Sequence, residues 1–217
     1  MRNRTVAGLV LAAMLLCLSA TAALALSPEL IEGYWECMME EEAQCLALTI
    51  SPDGSYQIYI YDLDPVHYEL DKKAGRIGIT TDYEEEHTEW INYKVNADSL
   101  TLAMDGEEIV FDLLYKPEKR NSPVVGRWLA NFPEEDDEDL GFAPERLILE
   151  FDGDGQAVAM IADEAMAGEW SVNDEGRLEI EVEGEICEGI YSAKADLLII
   201  EVEGESYEFR PSEKQGS

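Results

Sequence analysis

The residues able to do proton or metal chemistry are unevenly supplied in this 217-residue chain, which has 48 carboxylates, two imidazoles and four thiols. The imidazoles, His67 and His87, fall in no arrangement that activates a nucleophile. The sequence has no Gly-x-Ser-x-Gly elbow, no His-Glu-x-x-His and no Cys-His pair with a recognised local pattern. Paired carboxylates, the other route to hydrolysis, carry no information here, because among 48 acidic residues some pair stands at a workable separation in any fold. His87 follows Glu84, Glu85 and Glu86, the surroundings of a solvated loop. These features point away from an enzyme. No catalytic residue is assigned.

A net charge of −33 repels nucleic acid and anionic membranes and leaves a cation, a basic protein or a small molecule of unknown identity as partners. No cofactor is expected. Clustered carboxylates offer the oxygen donors for weak calcium binding, but no twelve-residue calcium loop is present, and "DGDG" (152–155) reads as a turn.

Residues 1–25 have the layout of a secretory signal peptide: Arg2 and Arg4, an apolar run, then Ala23-Leu24-Ala25. Cleavage there takes the 15 basic residues to 13 and the charge to −35. The mature chain has no segment of membrane-spanning length, so a secreted, extracytoplasmic protein is expected. It keeps Cys37, Cys45 and Cys187. In an oxidising compartment Cys37 and Cys45 are candidates for a disulfide across a hairpin, leaving Cys187 buried or available to a second chain.

The elements that must carry these residues are strands. Turn signals such as "SPDG", "NADS", "DGDG" and "NDEG" recur every ten residues or so between β-branched and alternating runs, and no segment has a helical period. Glu179, Glu181 and Glu183 alternate with apolar residues, so they face solvent and discourage edge-to-edge pairing.

The pattern also occurs twice. "LALTISPDG" (46–54) lies over "LILEFDGDG" (147–155), and "GRIGIT" (75–80) over "GRLEIE" (176–181), both at an offset of 101, while "ADSLTLAMDGEEIVF" (97–111) lies over "ADLLIIEVEGESYEF" (195–209) at 98. The order of the pieces is kept, as in a tandem duplication. The expectation is an all-β protein of two tandem antiparallel up-and-down β-barrels, about eight short strands each. The first would span 26–117 and the second 123–211, joined by a linker at 118–122 and followed by a disordered tail at 212–217.

Each copy opens on Gly-x-Trp, as Gly33-Tyr34-Trp35 and Gly126-Arg127-Trp128. Gly-x-Trp on a first strand followed by an eight-strand meander resembles the lipocalin or calycin superfamily, most of all the compact lipocalin-like domains of exported bacterial proteins. The resemblance implies that Trp35 and Trp128 each close one end of a barrel. It implies that Gly33 and Gly126 allow close backbone approach, and that a basic residue near the last strand packs across the indole. Arg210 would serve Trp128 in this way, and Lys116 would serve Trp35.

In that family the rim opposite the Trp is the ligand mouth. In an up-and-down meander alternate turns share a rim. The rim here would gather Glu40, Glu41, Asp62, Asp64, Glu84, Glu85, Glu86 and His87 in the first half and Glu135, Asp136 and Asp137 in the second. The reading is a non-enzymatic exported binding module for a small molecule, cation or basic partner. The alternative is a protein-interaction barrel: "GYWECMMEEEAQCLAL" also resembles the start of small exported inhibitors of bacterial metalloproteases.

Overall fold

A computed structural model describes residues 28–212 apart from 40, 82–86, 105, 133–145, 163–164, 183, 193–194 and 203. The expected signal peptide and residues 213–217 of the expected tail lie outside the described residues. Among the described residues no helix is long and apolar enough to cross a membrane.

The chain is all-β and antiparallel. A short 3-10 turn (Pro28–Leu30) precedes β1 (Gly33–Met39), β2 (Gln44–Ile50) and a long β3 (Ser55–Asp71). These are followed by β4 (Arg76–Thr81), β5 (His87–Val95), β6 (Ser99–Met104) and β7 (Glu107–Tyr115). The second half supplies β8 (Gly126–Asn131), β9 (Arg146–Phe151), β10 (Gln156–Ala162) and β11 (Ala165–Val172). It ends with β12 (Leu178–Val182), β13 (Glu185–Ser192), β14 (Leu197–Val202) and β15 (Glu205–Pro211).

All fifteen strands of the described residues belong to one sheet, and its pairings close on themselves twice. One circuit runs through the first part of β3, then β11, β12, β13, β14, β15, β1 and β2, and back to β3. The other runs through the last part of β3, then β4 to β10 in order, and back to β3. Each circuit therefore mixes the two halves. This differs from one self-contained barrel within 26–117 and another within 123–211: β1, β2 and the start of β3 pair with late strands, and β8, β9 and β10 with early ones.

The reason lies in β3. The run "DLDP" (62–65), expected to be a turn, is extended backbone inside a strand of 17 residues. With no turn there, the strand cannot fold back on its own half and crosses into the second circuit. A proline inside a strand normally costs a ladder bond. Here Leu63 N–H still donates to Ala43 O (2.8 Å) beside β2, and pairing with β4 begins only at His67 opposite Thr80. Backbone N–H groups alternate sides along a strand, so the nitrogen of Pro65 faces the gap between those two neighbours, where no donor is required.

Three apolar clusters follow from this path. Trp35, Leu48, Ile50 and Tyr56 pack with Leu178, Ile180, Leu198 and Phe209 inside the first circuit. Ile77, Leu100, Leu102 and Phe111 pack with Trp128, Phe151 and Ala157 inside the second. The third contains Cys45, Ala47, Tyr59 and Tyr61 with Ile148, Met160 and Ala162. These last are the outward-facing positions of their strands. They are buried because the two circuits meet there.

Candidate binding surfaces

The two tryptophans occupy matching places. Trp35 is 3% exposed and its indole N–H donates to Ile31 O at 2.8 Å, while Trp128 is fully buried and donates to Val124 O at 2.7 Å. In each case the acceptor is four residues back. Gly33 and Gly126 both have positive φ, and a Cβ on Gly126 would lie 2.6 Å from the Tyr115 carbonyl oxygen, so β8 could not approach the end of β7 with any other residue there.

Arg210 is exposed on β15, in register with Glu36 of β1. It stands in the circuit of Trp35 rather than beside Trp128. The exchange of strands is the cause: the last strand of each half adjoins the first strand of the other, so β7 pairs with β8 and β15 with β1. Lys116 is exposed just beyond β7. The cation–π contacts fall elsewhere, Arg76 over Trp90 at 5.2 Å and Arg146 over Tyr59 at 4.7 Å.

Cys37 and Cys45 are both buried and are not joined in a disulfide. Opposite Cys37 in the hairpin stands Leu46, and opposite Cys45 stands Met38, so the two thiols lie on opposite faces of the sheet. Cys37 points into the first circuit and Cys45 into the cluster between the circuits. A bridge would need a register shift of one residue, which would turn Trp35 outward. Cys187 is likewise buried and in no disulfide, and burial pushes the Cys37 and Cys187 thiols above their ordinary pKa.

The acidic rim is only partly visible. Glu40, Glu84, Glu85, Glu86, Glu135, Asp136 and Asp137 lie outside the described residues. Glu41 is exposed in the β1–β2 turn, and His87 is exposed at the start of β5, opposite Thr81. Asp62 and Asp64 sit mid-strand in β3, where Asp62 accepts a hydrogen bond from Gln44 Nε2 (2.8 Å) and Asp64 is half-buried opposite Ala159. They belong to the crossing and not to a turn. His67 is exposed within β3. Among the described residues no group of three metal-ligating side chains is assembled.

Sequence reasoning missed two features. The first is Arg127, the middle residue of the second Gly-x-Trp. It points away from Trp128 and would face solvent if the circuit stood alone, yet it is only 3% exposed. Its guanidinium reaches Glu36 Oε1 at 2.5 Å from the first half and Glu150 Oε2 at 3.0 Å from the second. Burial by itself would lower the pKa of Arg127, but the two carboxylates outweigh it and hold the group above its ordinary value. Burial, aided by the Glu36 charge, pushes the neighbouring Tyr34 phenol well above its usual range against the opposing pull of Arg127. The one signal in the sequence was a charge placed beside the Trp of the second Gly-x-Trp.

The second is the outer face of β12, β13 and β14. Glu179 stands opposite Glu188, Glu188 opposite Glu201, Glu181 opposite Ile186, and Ile190 opposite Ile199. Like charges directly opposite one another are destabilising, and the row is relieved in part, at its middle by Arg177 reaching Glu188 at 2.6 Å and at Glu179 by a hydrogen bond from Asn173 Nδ2 at 2.9 Å. Among these carboxylates Ile186 is 69% exposed and Ile190 50% exposed. Alternation placed Glu179 and Glu181 on this face, while Glu183 lies outside the described residues. The isoleucines of "GEICEGIYS" take the outward places because Cys187 and Gly189 take the inward ones.

A cleft of about 570 Å³ lies at the join between the halves. Its lining combines the apolar Tyr115, Pro117 and Val125 with the basic Lys119 and Arg120 and the acidic Glu150 and Asp152. Arg120 is tied to Pro123 O (3.0 Å), and Asn121 to Gly153 O (2.6 Å). No family model, curated protein or solved structure matches the chain.

Proposed function

We propose that this protein is an exported, non-enzymatic binding module of two lipocalin-like barrels derived from a tandem duplication, and that it takes a basic, partly apolar polypeptide segment on the outer face of β12–β14. The observation that carries this reading is the exposure of Ile186 and Ile190 within a row of mutually opposed glutamates. An isolated protein gains nothing from either feature. A partner with Lys or Arg flanking an apolar residue relieves the repulsion and covers the isoleucines at once. The apolar filling of both circuits favours the outer surface over an interior small-molecule site.

The test is titration of the full chain with a fluorescent peptide of alternating Lys and Leu, against a Ser-for-Leu peptide and an uncharged one. Binding that weakens at least tenfold on going from low to physiological salt, and that is lost in a Glu181→Gln, Glu188→Gln, Ile186→Ser variant, is expected. Equal binding by that variant overturns the assignment. A second reading, a small anionic ligand with an apolar body, is favoured by the cleft beside Lys119. A retained small-molecule mass in native mass spectrometry, lost on Lys119→Glu, would shift the weight to it.

A further inference from the structure

We infer that the two halves of this chain form one molecule by reciprocal strand exchange, so that the peptide linking them, at Lys119–Arg120–Asn121, is a site where the chain can be cut without coming apart. Four ladders cross between the halves: β3 with β10 over six registered pairs, β3 with β11 over five, β7 with β8 over five, and β15 with β1 over two. The first circuit takes three strands from the first half and five from the second. The second circuit takes the reverse.

Each apolar cluster is likewise shared. Inside the first circuit Trp35 sets its ring edge-on to Tyr191, at 5.9 Å between centroids, and Tyr56 donates its hydroxyl hydrogen to Glu181 O. Inside the second, Tyr68 packs edge-on to Phe151 at 5.0 Å and donates to Asp152 O at 2.6 Å. Between the circuits, Arg127 binds Glu36 across 91 positions of sequence. A half on its own would leave open strand edges on both of its partial circuits, uncovered apolar faces, and, at Glu36 or Arg127, a charge without its partner.

The connection itself adds no ladder to this, and among the described residues its tie to the second half is a single side-chain hydrogen bond, Asn121 Nδ2 to Gly153 O at 2.6 Å. Between β7 and β8 the chain has no strand, and Glu118, Lys119 and Asn121 are exposed. The segment contains adjacent basic residues in a chain that is otherwise strongly acidic, the chemistry recognised by peptidases of trypsin-like specificity. Hydrolysis after Arg120 adds water across one peptide bond, giving a carboxylate on Arg120 and an amino group on Asn121, and breaks no ladder.

The test uses the full chain with a recognition sequence for a site-specific endopeptidase inserted between Arg120 and Asn121. A second protein, Lys72→Gln with Lys73→Gln, leaves the linker native and removes the exposed basic pair of the β3–β4 turn, so that limited trypsin can be used instead. After complete cleavage, both fragments should elute together at the volume of the uncut protein, keep the uncut circular dichroism spectrum, and separate only in denaturant. Two folded fragments that elute separately in native buffer, each keeping its strand signal, would overturn the inference. So would loss of all strand signal on cutting. The outcome is independent of the peptide titration above, because it involves no ligand.

Discussion

At the scale of single residues, Arg127 governs how the two circuits meet. A guanidinium that is 3% exposed has given up nearly all its water, and Glu36 (14% exposed) and Glu150 (28% exposed) replace it. An arrangement of this kind contributes little net stability compared with an apolar replacement of the whole set, but removal of one member strands the others. Arg127→Met should therefore lower the unfolding free energy by about 3–5 kcal/mol, read from urea melts. Further substitution of Glu36→Leu and Glu150→Leu in that background should recover part of the loss. Glu36 deprived of its guanidinium beside the half-buried Tyr34 is a source of the penalty. Beyond a charge placed next to Trp128 none of this was legible in the sequence, since alternation assigns Arg127 to the solvent side and only contact with the first circuit makes that side an interior.

At the scale of elements, most of the sequence reading survives because period-two alternation is a local property. The inward series Leu48 and Ile50, Leu178 and Ile180, and Leu198 and Ile200 are all buried as the alternation requires. One element escaped it. "DLDP" combines two aspartates with a proline, the composition of a turn, and the local signal was outvoted by pairing on both sides of β3. Its role predicts an asymmetry between neighbours. Leu63→Pro removes the N–H that reaches Ala43 O and should lower the urea midpoint markedly, by about 1–3 kcal/mol of stability. Pro65→Ala restores a donor that has only the gap to face and should stay within about 0.5 kcal/mol of the parent. The failed disulfide belongs to this scale too: spacing brought Cys37 and Cys45 into one hairpin, and the parity of the register set them on opposite faces.

For the whole molecule, the recurrence of motifs assigned about eight strands to each half, where the described residues have seven and eight with β3 serving both rings, and it did not show which half supplies them to each ring. Tandem copies that close singly and copies that trade three strands have the same inward and outward pattern at almost every position. The difference lies in whether the chain turns or continues after the third strand, and that is decided by a few residues in one copy. Because β3 belongs to both circuits, neither can lose its strands while the other stays intact. Urea unfolding should accordingly be one transition, with tryptophan fluorescence and far-ultraviolet circular dichroism coinciding. Two resolved steps would mean that the circuits unfold separately.

The neighbouring of β1 and β15 has a consequence in time. Trp35 is among the first described residues to be synthesised, and the register that closes its ring ends at Pro211. During synthesis β1 can pair with β2 and β2 with β3 early, but the ring around Trp35 closes only when β15 has been made, and contacts of such long sequence separation slow folding. The first circuit is thus obliged to stay open after every strand of the second has been made, so the two rings close in a set order along the chain.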